Sequence, residues 1–466
     1  MKRHNTTFIS TDPPIPPTGG GTRAFHFVKV IAGLSNCHLF VLSPMLKSDF
    51  PASTTNSCSS VNFASDRIPV IPDSPSIDFL KKLRMLFAPW SVSKCKLILS
   101  ANYWVSNPYI GKNIFKKVFY YWLRHTITWY ALSIYRLGYT IPARSLERYG
   151  QFKEMKLSIK NQIDISEILW IDFSTIFPFL TGLDRKRSSL KIICNAHNVE
   201  YKYMEYRYGI ASDPLEKKWY KVQAELLKEA EIKGYKDCDL IITCSEDDRA
   251  EILSNLPKAN IEVIPNGVDV NYFIPNNHLS PEPSLLFTGT MGFEPNKEAV
   301  DHFIKNIFPL VLKKNPSCKF MIAGANAAKV CKEYVGVNNI EIISSPLDIR
   351  PYYNEAWIVV VPLRSGSGTR LKILEAMAME KPVVSTVIGA EGLTFNDGKE
   401  ILIALDDDDF AKKINNLFWN KQQVADITRA AREKILKLYD WERIEDLVSE
   451  VISKNASILE EQLYLK

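Results

Sequence analysis

A chain of 466 residues, 46% hydrophobic and 24% charged, has ordinary globular composition and is long enough for two buried cores, which excludes a disordered or fibrous protein. Its eight cysteines are scattered, with no CxxC pair and no Cys/His cluster at zinc-ligand spacing, which argues against a disulfide framework and a zinc module and for a reducing cytosol. The start lacks the apolar core of a signal peptide and no apolar run approaches the length of a membrane span, so a cytoplasmic chain without a transmembrane helix is expected.

In chain order the pattern is strand, loop, helix, repeated. Thr6 to Ser10 reads as a short strand, followed by a proline-stiffened loop, Pro13 to Pro17, and a glycine-rich one, Thr18 to Thr22. Thr22 to Leu34 reads as a helix with Phe25, Val28, Ile31 and Leu34 on one face. Gly19, Gly20 and Gly21 stand where that helix begins, a place suited to cradling a phosphate. Cys37 to Ser43 reads as the next strand, 49–76 as an extended surface connection, and 79–150 as helical. Further strands are expected at Ile168 to Phe173, Leu190 to Cys194 and Asp239 to Cys244, with a charged helix from Asp213 to Lys236. The second of these strands delivers His197 at its carboxyl end. Ser245, with Asp248 three residues on, reads as a helix cap. Asp237-Cys238-Asp239 precedes a strand and reads as structural, and Asn266-Gly267 as a turn that sets a hinge.

A proline-rich segment near Asn271 to Pro283 marks a boundary, and beyond it the alternation is cleaner. Strands are expected at Leu285 to Thr288, Lys319 to Ala323, Ile340 to Ile343, Ile358 to Leu363, Pro382 to Thr386 and Ile401 to Leu405, with helices between them. Such alternation implies parallel sheets covered on both faces, with ligands bound outside the carboxyl ends of the strands. The expected organisation is α/β, with domains at 1–272 and 273–440 and a terminal helical segment at 441–466 that packs back toward the first.

The net charge of +6 is unevenly spread: residues 1–270 carry 35 Lys+Arg against 26 Asp+Glu, and the stretch 79–160 holds 15 basic side chains and 2 acidic ones. Aromatics including Phe115, Tyr120, Trp122 and Trp129 are interleaved there with Lys112, Lys116, Lys117, Arg124 and Arg136. Two readings stand side by side. One is contact with an anionic membrane surface, which would place the protein peripherally at the inner face of the membrane. The other is a helix pair with core aromatics and solvated lysines. No nucleic-acid module accompanies the basic stretch, so nucleic acid is not an expected partner.

The segment Ser365 to Ala378, SGSGTRLKILEAMA, carries the most chemistry. It follows the apolar run Trp357 to Leu363 and leads into an amphipathic helix. Gly366 and Gly368 let the backbone approach a ligand, and Ser367 and Thr369 lie between and after them. The helix start is a ready anion site. Arg370 and Lys372 add two cations, and Glu375, about a turn on, can accept hydroxyl hydrogen bonds. Cations for a diphosphate and a carboxylate for hydroxyls are what a nucleotide-sugar site needs.

That segment resembles the C-terminal signature of GT-B glycosyltransferases, in particular the retaining enzymes of family 4. Three further segments resemble the family in the expected order: Asn195-Ala-His-Asn-Val-Glu200, Val263-Ile-Pro-Asn-Gly-Val-Asp269, and Phe287-Thr-Gly-Thr-Met291 with Pro295-Asn296. The resemblance implies the GT-B architecture, two Rossmann-like domains with parallel sheets facing across a cleft. It also implies transfer of a sugar from a nucleotide-sugar donor to a glycan or lipid-linked acceptor, with retention and without a metal or other cofactor, in surface polysaccharide biosynthesis.

By the same resemblance, Glu375 would hydrogen-bond the donor ribose, and Arg370 and Lys372 would hold the diphosphate. His197 would face the donor sugar, and Gly289, Thr290, Gly366, Ser367, Gly368 and Thr369 would line the donor site. Gly19, Gly20 and Gly21 would serve acceptor or phosphate. The sequence departs from the family pattern at two positions: Ser367 stands where many members have a glutamate, and Thr290 where they often have an arginine, with Lys297 nearby but out of the usual spacing. Those departures leave two alternatives, a nucleotide-sugar epimerase on the same scaffold and a non-catalytic sugar- or partner-binding protein.

Overall fold

The computed structural model describes residues 4–11, 14, 19–42, 57–63, 149–180, 190–211, 214–276, 279–366 and 368–463. The expectations for most of 43–148, including the interleaved aromatics, and for Ser367 lie outside these residues. The chain divides into two compact units. One comprises Met1–Thr243, Arg249–Glu262 and Val451–Lys466; the other comprises Cys244–Asp248 and Val263–Glu450.

The first unit is built on a seven-stranded sheet. Its strands are β1 (Asn5–Ser10), β2 (Asn36–Val41), β3 (Ser60–Phe63), β4 (Ile168–Asp172), β5 (Lys191–Ala196), β6 (Leu240–Thr243) and β7 (Ile261–Val263). Their order is β3-β2-β1-β4-β5-β6-β7. The central strand β1 pairs in parallel with β2 on one side and β4 on the other. The chain runs outward from β1 in one direction, returns, and continues outward from β4. This is the doubly wound arrangement, and it opens a crevice at the carboxyl ends of β1 and β4, where the direction of winding reverses.

Numbering helices of eight or more residues, the first unit contains α1 (Gly19–Leu34), α2 (Tyr149–Ile163), α3 (Glu200–Ile210) and α4 (Pro214–Lys236); α5 (Glu246–Asn255) follows β6. Helix α1 starts at Gly19, three residues before the sequence expectation, so the glycine triplet forms its first turn and is not a preceding loop. Its buried face is Ala24, Phe27, Val28 and Ile31, whereas Leu34 is 42% exposed. Leu34 is the last residue of the helix. Helix α3 has no counterpart in the sequence reading, because its buried residues are only Glu200, Tyr201 and Met204 and no apolar stripe marks it. Ser245 caps α5 as expected: its hydroxyl accepts from the Asp248 N–H at 3.1 Å and donates to the Asp248 carboxylate at 2.7 Å.

The second unit repeats the plan with β8 (Ser284–Thr288), β9 (Lys319–Gly324), β10 (Ile340–Ser344), β11 (Ile358–Val361), β12 (Val383–Thr386) and β13 (Leu402–Ala404), in the order β10-β9-β8-β11-β12-β13. All five pairings are parallel. Strands β8 and β11 are buried along their whole length, the near-continuous apolar run that a sheet covered on both faces requires. Strand β11 stops at Val361, short of the expected Leu363, because Pro362 has no N–H to extend the ladder. The covering helices are α6 (Glu294–His302), α7 (Leu371–Ala378), α8 (Asp407–Trp419), α9 (Lys421–Leu438) and the first part of α10 (Trp441–Leu463). Here the winding reverses between β8 and β11.

Candidate functional site

At the carboxyl ends of β8 and β11, the second unit gathers two buried cations and a buried carboxylate, Arg370, Lys372 and Glu375. The loop after β11 turns through Gly366 at φ +112° and Gly368 at φ +83°, then enters α7 at Arg370, whose side chain makes no hydrogen-bonded cap. First-turn N–H groups of α7 are therefore left without a side-chain cap. Arg370 is 8% exposed and folds back over the loop; a Cβ on Gly366 would lie 3.1 Å from its Nη2. Burial pulls the Arg370 guanidinium below its ordinary range.

The Lys372 side chain turns inward from α7. Its Nζ donates to Asn296 Oδ1 at 2.9 Å and lies 3.9 Å from the centroid of the Phe287 ring. Asn296 in turn donates from Nδ2 to the backbone carbonyl of Thr290 at 2.9 Å, which ties the loop after β8 to α6 and α7. Gly289, at φ +152°, makes this approach feasible, because a Cβ there would stand 2.8 Å from Asn296 Nδ2 and 3.0 Å from Lys372 Nζ. Burial, reinforced by the nearby Arg370 charge, pushes Lys372 down to about 7. A lysine so placed is poised to gain a full proton when an anion arrives.

Glu375 lies one turn further along α7. Its carboxylate accepts from the Tyr353 hydroxyl at 2.8 Å. That hydroxyl has a single proton, committed to Glu375, so the Thr288 hydroxyl 2.9 Å away donates to it. The chain Thr288 to Tyr353 to Glu375 fixes one carboxylate oxygen. Burial raises the Glu375 carboxyl above its usual range, against the opposing pull of the Tyr353 hydroxyl and Lys372. Tyr353 is raised as well, by burial and by the Glu375 charge.

In the first unit a second constellation gathers at the β1 and β4 ends. Asp172, the last residue of β4, is fully buried; its Oδ2 accepts from Ser10 at the end of β1 at 3.0 Å. Asp172 Oδ1 accepts from Asn195 Nδ2 at 2.7 Å and lies 2.9 Å from His197 Nε2. The Asn195 amide is oriented by Arg23 of α1, whose Nε donates to Asn195 Oδ1 at 3.0 Å. Because Arg23 claims the carbonyl oxygen, the Asn195 NH₂ faces Asp172 and His197. Asn195 Nδ2 and His197 Nε2, 3.2 Å apart, are then both donors converging on one carboxylate oxygen. In the neutral ring this arrangement puts the His197 proton on Nε2 and leaves Nδ1 as the acceptor. The Phe173 ring stacks on the imidazole at 3.7 Å between centroids.

The structure thus brings Gly289, Thr290, Gly366, Arg370, Lys372 and Glu375 together at one end of the second sheet, with Gly368 and Thr369 in the same loop. It places His197 at the end of the first sheet and Gly19, Gly20 and Gly21 in the first turn of α1, one turn from Arg23. Lys297 is engaged elsewhere, paired with Asp301 at 2.5 Å and Glu333 at 3.6 Å. Asp239 is structural, accepting from the Ile192 N–H at 2.8 Å and pairing with Lys191. The sequence reading missed Asp172, Arg23 and Tyr353, and it met Asn296 only within the resembling Pro295-Asn296 segment, without a role of its own. Only Asp172 left a local signal, a carboxylate closing the apolar run Ile168 to Ile171. Among the described residues no cluster of three or more His, Cys, Asp or Glu side chains is arranged to hold a metal ion, and no helix is long and apolar enough to cross a membrane.

Comparison with known proteins bears on the family and the fold. Residues 130–272 match the family model described as Glycosyltransferase Family 4, and residues 282–420 match that described as Glycosyl transferases group 1. A curated relative, an uncharacterized 44.6 kDa protein in the cps region of Klebsiella pneumoniae, is 33% identical over 170 residues; the match covers 34% of this chain and 44% of that protein. Among solved structures, sucrose-phosphate synthase from Thermosynechococcus elongatus superposes with a TM-score of 0.63 at 14% identity, covering 98% of this chain and all of the other. Anabaena Alr3699/HepE in complex with UDP-glucose gives 0.56 at 12% identity, covering 97% of this chain and all of that one. A glycosyltransferase from Rickettsia africae gives 0.54 at 15% identity, covering 99% of each. At such identities the superpositions speak for the fold. With two glycosyltransferase family models matched in succession on two Rossmann-like units, the chain is a GT-B glycosyltransferase resembling family 4.

Proposed function

We propose that this protein moves a sugar from a nucleotide-sugar donor to a glycan or lipid-linked acceptor, with retention of anomeric configuration, in the synthesis of a surface polysaccharide. The observation that carries the reading is the set of side chains on α7. Two cations and a held carboxylate lie at the carboxyl end of a doubly wound sheet, where such folds bind nucleotides. Arg370, Lys372 and the start of α7 would offset the charge of the departing diphosphate, the main electrostatic task of the reaction. They supply that charge themselves, so the reaction is proposed to run without a metal. Glu375, with one oxygen fixed by Tyr353, would accept hydroxyl hydrogen bonds from the nucleotide ribose. His197 would present its Nδ1 acceptor to a hydroxyl of the transferred sugar, in an orientation set by Asp172.

Two of the relatives support the substrate class. HepE was solved with UDP-glucose, and the Klebsiella relative lies in a cps region. The basic, aromatic stretch at 79–160 is proposed to bring the protein to an anionic membrane surface on the cytoplasmic side, where a lipid-linked acceptor would be found. The test is a panel of UDP-, GDP- and dTDP-sugars incubated with and without lipid-linked or oligosaccharide acceptors. Nucleotide release is followed by chromatography, and the anomeric configuration of the product by proton NMR. Acceptor-dependent release with the donor's configuration retained supports the proposal. Conversion of the donor sugar without acceptor favours the epimerase, and the absence of any turnover favours a binding protein.

A further inference from the structure

We infer that Glu231 is the positioning residue for His197, a clamp on helix α4 that holds both walls of the imidazole site. The inference rests on the reading of His197 given above and deepens it. Glu231 lies on α4, is 1% exposed, and is not part of the Asp172 constellation. Its carboxylate accepts four hydrogen bonds from two separate segments and from its own helix. Oε2 accepts from the Tyr201 N–H at 3.0 Å; Oε1 lies 3.2 Å from the Glu200 N–H, 2.5 Å from the Ser174 hydroxyl and 3.2 Å from the Tyr235 hydroxyl.

Each partner has a reason to need it. Glu200 and Tyr201 open α3, whose own N-cap residue, Val199, has no side chain able to accept from the first-turn N–H groups. Glu231 supplies the missing cap from another helix, and a carboxylate there also complements the positive end of the α3 dipole. That fixes where α3 begins, three residues after His197. Ser174 follows Phe173, a non-glycine residue at φ +81° whose ring stacks on His197. Backbone held in that region persists only where the surroundings enforce it, and the Ser174 bond to Glu231 is such an enforcement. One carboxylate therefore ties the loop that carries His197 to the loop that carries its stacking partner.

The experiment uses the full chain and needs no substrate, so it stands apart from the donor assay. Histidine-labelled protein is compared as wild type, Glu231→Gln, Glu231→Ala and Ile252→Val. The last removes a methylene from the fully buried Ile252 of the same unit, a change in packing that leaves every hydrogen bond of Glu231 in place. The His197 ring signals, identified by their loss in His197→Gln, carry the ring-current shift of Phe173 stacking. Amide exchange is read at Glu200 and Tyr201. Glu231→Ala is expected to abolish the ring-current shift and to accelerate exchange at the two amides about tenfold, the size of a lost helix cap. Glu231→Gln keeps one acceptor oxygen and should fall between, while Ile252→Val should leave both signals as in the wild type. If Glu231→Ala does not fold, the Gln variant decides. Wild-type ring signals and exchange in a Glu231 variant, or equal changes in Ile252→Val, would overturn the clamp. Full donor turnover in His197→Gln would instead overturn the role of His197, and with it the catalytic purpose of the clamp.

Discussion

Lys372 makes the sharpest prediction, because its proton is the one the site holds least firmly. Burial and Arg370 bring it from 10.5 to about 7, so at pH 8 about nine-tenths of the molecules carry a neutral amine there. A bound diphosphate places two negative charges near Nζ and restores the proton. Binding at pH 8 should then take up about 0.9 proton per donor, and binding at pH 6 about 0.1. The affinity for a nucleotide sugar should fall about tenfold per pH unit above 7 until the raised value of the bound state is reached. Nucleotide sugars suit the test, since their diphosphate charge is constant over this range. Titration calorimetry at pH 6, 7, 8 and 8.5, at each pH in two phosphate-free buffers of different ionisation enthalpy, gives affinity and proton uptake together. Lys372→Met should bind weakly at every pH and take up no proton in this window. Burial also shifts Glu375 up and Arg370 down, so the Lys372→Met comparison is what isolates the lysine's share of the proton uptake. A flat affinity from pH 6 to 8.5 with no proton uptake would refute the reasoning. The same shift has a consequence for stability. The unfolded chain holds the lysine proton up to 10.5 and the folded one releases it from about 7, so this group's contribution to stability rises with pH between those values.

Three substitutions test other parts of the account. Glu375→Gln removes a buried charge, so thermal stability should hold or rise while donor affinity, read by calorimetry, falls roughly 10- to 100-fold as charged hydrogen bonds are lost. Asp172→Asn keeps the shape but opposes an amide to donors from Ser10, Asn195 and His197. Urea denaturation should show a loss of about 1–3 kcal/mol, and the His197 proton should redistribute between the ring nitrogens, visible by nitrogen NMR. Gly289→Ala puts a methyl against Asn296 and Lys372 in a backbone conformation that side chains rarely adopt. It should cost about 1–3 kcal/mol of stability and weaken donor binding as the lysine is displaced.

Much of the architecture could be read from the sequence because alternation of apolar runs with amphipathic segments is local information. The apolar run at Ile358–Val361 and the glycine-rich turn that follows it announce a strand and a ligand loop without reference to any other part of the chain. Helix α3 was missed for the converse reason: its start is secured by Glu231, some 30 residues away, and not by an apolar stripe of its own. The site divides in the same way. Arg370, Lys372 and Glu375 share one short segment and could be recognised together. The Arg23 contact with Asn195 joins residues 172 positions apart, and that of Lys372 with Asn296 joins residues 76 apart. Such pairs depend on strand order, which periodicity does not encode. Tyr353 lay hidden because a tyrosine before an apolar strand reads as core, and only the fold shows its hydroxyl turned onto Glu375.

The central claim is that α7 carries the donor site, and equilibrium binding of a nucleotide-sugar panel to the wild type, Arg370→Ala and Glu375→Ala tests it most directly. The account predicts that one donor binds the wild type, with affinity lost in both variants while both remain folded by circular dichroism. Donor binding unchanged in the two variants would place the site elsewhere in the molecule and contradict the account.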